Sequence, residues 1–285
     1  MIAAEIGYER AKTIEEALSL LSQDVDAKLL SGGHSLVPLM KLRLAQPSTL
    51  IDVSKIPELR TLDVESERIT IGAGVRYFEL LGDTRLEELM PVIAQATSVI
   101  ADPQVRHRGT IGGAAVHADP TSDLAAVFLA LEARFHIRSA AGRRIVPIED
   151  WYLAPLTSAL ERDEMLVAVE FPRPIPRRQA YVKFSHPASG YALAGVAAIM
   201  DLTQHGLVQG AGIAVTGAAT MPFRASTAEA WLQGRPLNAE SVAMAAQVGA
   251  DDGTYDADDG QYPAVYRKNL ARVMLARALE KLAPQ

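Results

Sequence analysis

The sequence predicts an α+β protein of two domains, and three observations carry this. The chain has 285 residues. Domains run about 100–200 residues each, so two are expected and a third is left open. Up to Phe171, short strand patterns interleave with helical stripes; beyond it, three long strand patterns follow one another and helical patterns close the chain. Between the two stretches stands Pro172-Arg-Pro-Ile-Pro-Arg-Arg-Gln179, whose three prolines in five residues continue neither helix nor strand. The expected domains are therefore residues 1–175, with subdomains about 1–55 and 56–175, and residues 178–285.

Thr13 precedes Ile14, Ala17, Leu18 and Leu21, the spacing of a capped amphipathic helix. Lys28–Leu30 reads as a short buried strand, Ser31–Ser35 as a turn, Leu36–Leu44 as a helix and Thr49–Val53 as a strand. Leu62–Val64 and Arg68–Ile71 flank a polar tip and predict a hairpin. Leu86–Ile100 carries one helical stripe, Pro103–Gly113 reads as a loop, and Asp123–Glu132 as a buried helix. Ala133–Arg138 pairs with Arg143–Pro147 across Ala141-Gly142, and Met165–Phe171 is a strand. After the linker, Ala180–Phe184, Tyr191–Leu202 and Leu207–Thr216 predict a three-stranded antiparallel meander. Helical patterns follow at Thr227–Leu232, Ala239–Val248 and Tyr266–Leu282.

Composition excludes several functions. There is no cysteine, so disulfides, thiolate nucleophiles, Cys-ligated zinc and a cysteine-held iron–sulfur cluster on this chain are excluded. The net charge of −6 argues against a nucleic-acid surface. With 49% hydrophobic residues and a mean hydropathy of +0.08, the chain is neither disordered nor membrane-embedded in composition. The N-terminus lacks a signal-peptide pattern, and windows such as Tyr191–Met200 are too short to span a bilayer, so a cytoplasmic protein without a membrane span is expected.

Two glycine segments carry the chemistry. Ser31-Gly32-Gly33-His34-Ser35 lies between a strand and a helix, where glycines admit a ligand to the backbone amides. Ser35 suits either the helix cap or a hydrogen bond to phosphate; an ordinary tight turn is the other reading. Gly109-Thr110-Ile111-Gly112-Gly113-Ala114 offers a second run of amides with a hydroxyl, after Arg106, His107 and Arg108, which favour an anion. Two such segments suit a diphosphate. Neither is G-x-G-x-x-G or a P-loop, so a dinucleotide would be bound by another fold.

Other motifs say less. His117-Ala-Asp119-Pro-Thr-Ser-Asp123 suggests a metal, but no third ligand is spaced for one. The segment reads instead as a helix start, capped by Thr121 or Ser122 with Asp123 in the first turn. The acidic stretch Asp251–Gly260 lacks the EF-hand alternation and closing Glu and reads as a solvated loop. No nucleophile elbow appears, so no catalytic side chain is assigned and a bound cofactor is expected to do the chemistry.

In order along the chain, Leu30–Leu36 followed by Met40-Lys-Leu-Arg43, Ile100–Arg106, Arg108–Gly113, His117–Pro120 and Ser122-Asp-Leu124 closely resemble the FAD-binding medium subunit of molybdenum hydroxylases, the xanthine dehydrogenase and aerobic carbon monoxide dehydrogenase family. Lys183-Phe184, Gly190–Ala197 and Tyr266-Arg267 resemble its C-terminal domain. The resemblance implies a two-part FAD-binding domain of the vanillyl-alcohol-oxidase (PCMH) type, then a three-stranded antiparallel sheet with a helical bundle. It implies that the FAD diphosphate rests on Leu30, Ser31, Gly32, Gly33, His34, Ser35 and Leu36 and on Thr110, Gly112, Gly113 and Ala114. His117, Asp119 and Asp123 would serve the cofactor, Asp123 through its hydroxyls. Leu166 and Lys183 would line the cleft, and Ile100 and Tyr191 would lie at the flavin. Ala114 stands where many relatives carry Asn or Ser, leaving only its backbone N–H.

The resemblance also implies partners: a small subunit with two [2Fe-2S] clusters and a large subunit with molybdenum–molybdopterin cytosine dinucleotide, together a dimer of heterotrimers. This chain would collect electrons from the clusters and hand them to an external acceptor. Two alternatives stay open. One is a stand-alone FAD oxidase of the same fold, with His34 covalently tied to the flavin. The other is a nucleotide-responsive interaction module without redox activity.

Overall fold

The computed structural model describes residues 4–256 and 261–284. The N-terminal layer is a parallel sheet ordered Gly7–Arg10, Thr49–Asp52, Lys28–Leu30. Parallel neighbours need crossovers, supplied by the helices Ile14–Gln23 and Leu36–Lys41. Thr13 caps the first helix by accepting from the Glu16 amide, and its Ile14, Ala17, Leu18 and Leu21 face Ile51, Val53, Ile56 and Leu59. The strand Gly7–Arg10 was not expected; it is exposed throughout and shows no inside–outside pattern, and a Tyr8 hydroxyl bond to Asp52 at 2.6 Å ties it down. Lys28–Leu30 is not buried as expected, because Leu29 and Leu30 border an open cleft. The second helix stops at Lys41 rather than Leu44, as Arg43 turns left-handed at φ +59°.

A five-stranded antiparallel sheet follows, ordered Leu62–Val64, Arg68–Gly72, Met165–Pro172, Arg134–Ser139, Gly142–Pro147. Both expected hairpins form, and Met165–Pro172 enters between them. Ile69, Ile71, Phe135, Val169 and Phe171 join a core completed by the helices Pro91–Ser98, Ile111–His117 and Asp123–Ala130. The single helix expected over 86–100 is two, Thr84–Leu89 and Pro91–Ser98; Pro91 lacks a donor and opens the second. Tyr77–Gly82 is a helix the sequence did not announce. The expected loop 103–113 contains a helical turn, Pro103–Arg106, and the start of Ile111–His117. Asp102 and Thr110 cap them by accepting from the amides of Val105 and Gly113.

The third sheet is the expected meander of Arg178–Ser185, Ala192–Leu202 and Val208–Thr216, extended by the two-residue strand Phe223–Arg224. Side chains alternate across a strand. Here Ala180, Val182, Val196, Ala198 and Val215 face the helices Ser226–Leu232, Ala239–Gly249 and Ala264–Leu282. Tyr181, Ala197, Ile199 and Ala214 face the helix Asp123–Ala130 in the core of the five-stranded sheet. Burial on both faces explains the run without a polar side chain from Ala192 to Met200.

Of the acidic stretch, residues 257–260 lie outside the described residues. Asp251 pairs with Lys268 at 2.7 Å, and Asp252 accepts from the Thr227 amide at 2.8 Å. Among the described residues no group of three or more His, Asp or Glu is placed to hold a metal.

Candidate functional site

The turn Ser31–Ser35 carries the chain from the strand Lys28–Leu30 into the helix Leu36–Lys41, and Gly33 sits at φ +80°, where a Cβ is strained. A Cβ on Gly32 would stand 2.4 Å from the carbonyl oxygen of Arg108 and 3.0 Å from Cα of Gly109. The two glycine segments are therefore in contact, although Gly32 and Gly109 lie far apart in sequence. Ser31 Oγ and Thr110 Oγ1 are 3.2 Å apart. The amides of Gly32, Gly33, His34 and Ser35 donate to no protein acceptor among the described residues. Ser35 makes no side-chain cap, so its hydroxyl is left for another partner.

The second segment departs from expectation. Its amides are already bonded within the protein: Ile111 to the Val75 carbonyl, Gly112 to Ala73, Gly113 to Thr110 Oγ1, and Ala114 to the Thr110 carbonyl, at 3.0–3.1 Å. The N–H expected to be free at Ala114 is thus not free. The segment serves as a wall and as the seat of the Thr110 hydroxyl, and Trp151 Nε1 anchors its helix through the Ala115 carbonyl at 2.9 Å. The basic residues before it also differ from expectation. Arg106 Nη1 donates to the carbonyls of Ile100 (2.7 Å) and Ala101 (3.1 Å), and His107 stacks on Phe78 with ring centroids 4.6 Å apart. Neither these two nor Arg108 lines the cleft.

That cleft has a volume of about 580 Å³, within the range of small-molecule sites. Every expected site residue except Lys183 lines it: Leu30 through Leu36, Ile100, Thr110, Gly112, Gly113, Ala114, His117, Asp119, Asp123, Leu166 and Tyr191. Lys183 stands behind Asp123. Its Nζ donates to Asp123 Oδ2 at 2.8 Å and to the Val99 carbonyl at 3.0 Å, and its side chain is 4% exposed. Tyr181 donates to Asp123 Oδ1 at 2.6 Å. Burial pushes the Asp123 carboxyl up from the usual carboxylate value, and the Lys183 ammonium and Tyr181 hydroxyl pull it back. Neither Thr121 nor Ser122 caps the following helix as expected: Ser122 stands at the cap position with no cap bond, and Thr121 donates to Asp119 Oδ1 through both its amide and its hydroxyl. Tyr191 is 54% exposed at the cleft, and burial of its inner part together with Asp119 raises its phenol.

Sequence reasoning missed several lining residues. Tyr77 is buried there, its phenol pushed up by burial and by Asp123, and nothing around it in sequence signalled a site. Ser158, Leu160 and Glu164 enter from a stretch without periodicity. Glu164 is held by Arg144 through two bonds of 2.6 Å, which lower its carboxyl below the usual range. The donor set fits FAD: free turn amides and hydroxyls for a diphosphate, a buried carboxylate for hydroxyls, and apolar walls at Ile100 and Leu166 for a flat ring.

Comparison with known proteins agrees. Residues 4–174 match the family of the FAD binding domain in molybdopterin dehydrogenase, and residues 179–282 the CO dehydrogenase flavoprotein C-terminal domain. The carbon monoxide dehydrogenase medium chain of Afipia carboxidovorans is 36% identical over 283 residues, covering 99% of this chain and 98% of that one. The glyceraldehyde dehydrogenase medium chain of Sulfolobus acidocaldarius is 32% identical, covering 99% and 100%. The crystal structure of the Cu,Mo-CO dehydrogenase in its cyanide-inactivated form superimposes with a TM-score of 0.94 at 36% identity, covering 99% of both chains. The resemblance, the fold and these matches converge: the chain belongs to the molybdenum hydroxylase family as an FAD-binding medium subunit, an oxidoreductase component of a multisubunit molybdenum-dependent dehydrogenase.

Proposed function

We propose that this chain is the electron-transfer flavoprotein of its complex, taking electrons from [2Fe-2S] clusters on a small subunit and delivering them to an external acceptor. A large subunit with molybdenum–molybdopterin cytosine dinucleotide would oxidise the substrate, in a cytoplasmic dimer of heterotrimers. The observation that carries this reading is the joint cradle: free amides over Gly32–Ser35 meet the Ser31 and Thr110 hydroxyls above a cleft floored by Asp123. The absence of cysteine means the iron–sulfur relay belongs to another chain. Residues 1–175 would be the FAD-binding domain, with subdomains about 1–55 and 56–175, and residues 178–285 the C-terminal flavoprotein domain.

Bound FAD supplies the redox chemistry, accepting electrons singly and releasing them singly or in pairs. The protein's own residues bind and shield. The turn amides and the Ser35 hydroxyl would hold the diphosphate; Asp123, held in place by Lys183 and Tyr181, would accept from cofactor hydroxyls. Ile100, Leu166 and Tyr191, which line the cleft, would enclose the ring. No side chain does acid–base work on an organic substrate.

Purification from the native source tests this. A flavin absorption spectrum bleached by dithionite, with small iron–sulfur and large molybdenum chains co-purifying, is the expected result. An active monomer without partners contradicts the subunit reading. Yellow colour retained in an acid-precipitated pellet means that the flavin is bonded covalently, for which His34, exposed at the cleft, is the candidate.

A further inference from the structure

Two consecutive residues form one lip of the cleft. Ile100 and Ala101 line it, and Ala101 sits at φ +41°, a left-handed conformation that a residue with a Cβ rarely adopts. Three consecutive carbonyls, that of Val99 next to the lip and those of Ile100 and Ala101 in it, are each held by a cation. Lys183 Nζ reaches the Val99 oxygen at 3.0 Å, and Arg106 Nη1 reaches those of Ile100 and Ala101 at 2.7 and 3.1 Å. The chain itself builds the clamp. It leaves the lip at Ala101, starts a helical turn at the Asp102 cap, and returns the Arg106 side chain at the end of Pro103–Arg106. No carboxylate pairs with Arg106 among the described ion pairs, so its hydrogen bonds go to the lip.

We propose that Arg106 is a positioning residue for the flavin: by gripping the Ile100 and Ala101 carbonyls it holds the strained lip in the shape that encloses the cofactor, without lining the cleft itself. The inference rests on the flavin-site reading above. Charge-assisted bonds to a carbonyl are stronger than neutral ones, and they offset the left-handed strain at Ala101. Without them, Ala101 relaxes toward ordinary backbone conformations and the lip leaves the ring.

The test uses the full chain with R106Q, R106K, A101G and R106Q/A101G. It reads FAD affinity by flavin fluorescence, the visible circular dichroism of bound FAD and its midpoint potential. R106Q is expected to weaken FAD about tenfold and to change the visible dichroism. R106K recovers part of the loss, since an ammonium still donates to a carbonyl. A101G in the R106Q background also recovers part, because glycine adopts the left-handed conformation without strain. Wild-type affinity, dichroism and potential in R106Q overturn the inference alone. So does a loss that neither R106K nor A101G relieves and that follows a fall in the melting temperature of the cofactor-free protein, which assigns Arg106 to folding. A wild-type chain that does not bind FAD overturns the flavin site and this inference with it.

Discussion

At the scale of single residues, Gly32 is the cradle position with little freedom to vary. A β-carbon there meets the Arg108 carbonyl at 2.4 Å, and backbone gives less readily than a flexible side chain. Overpacking of this kind costs about 1–3 kcal/mol. Gly32→Val is expected to reduce FAD retention about tenfold or more, read as flavin absorbance per protein chain. Glu164 sets part of the acid limit. Its folded carboxyl titrates below the ordinary 4.5 because Arg144 binds it. Its contribution is therefore full above the unfolded value and is lost as pH falls through the folded one. Urea midpoints should decline below about pH 4.5, and less steeply in Glu164→Gln than in the wild type. Neither the contact at Gly32 nor the Arg144–Glu164 pair was legible in the sequence. The glycine motif announced room for a ligand at the backbone, not that Arg108 lay behind it. The ion pair joins residues 20 apart, one inside the strand Gly142–Pro147 and one just before the strand Met165–Pro172.

Among the elements, the helix Ile111–His117 shows what local signals hide. Thr110 is a good cap, but two glycines in the first turn erase the helical pattern, each costing about 1 kcal/mol relative to alanine. Its support comes from distant residues, the Ala73 and Val75 carbonyls and Trp151. Thr110→Ala removes the cap and the Ser31 contact, a loss of about 0.5–2 kcal/mol. Thermal melting should fall by a few degrees, and Thr110→Ser should recover most of it. By contrast, the helix after Thr13, both hairpins and the C-terminal meander were legible, because their caps, turns and alternation all lie within a few residues of one another.

In the whole molecule, the C-terminal sheet and the N-terminal part share a core. Tyr181, Ala197, Ile199 and Ala214 pack with Leu124, Val127 and Phe128. The strand over 191–202 was legible as part of a meander, but no local pattern said that both its faces are covered or named the helix that covers one of them. A calorimetric scan is expected to show one cooperative transition, raised as a whole by added FAD, since a ligand of the native state stabilises everything that melts with its site. Tyr181→Phe leaves an oxygen of buried Asp123 without its donor, a cost of about 1–3 kcal/mol. It should lower that single transition without splitting it. The arrangement also fixes an order of events during biosynthesis. A ribosome delivers Asp123 58 residues ahead of Tyr181 and 60 ahead of Lys183, and Tyr191 later still. The berth for the yellow coenzyme is thus unfinished while the polypeptide is being made, and maturation must wait until the second half has emerged and docked.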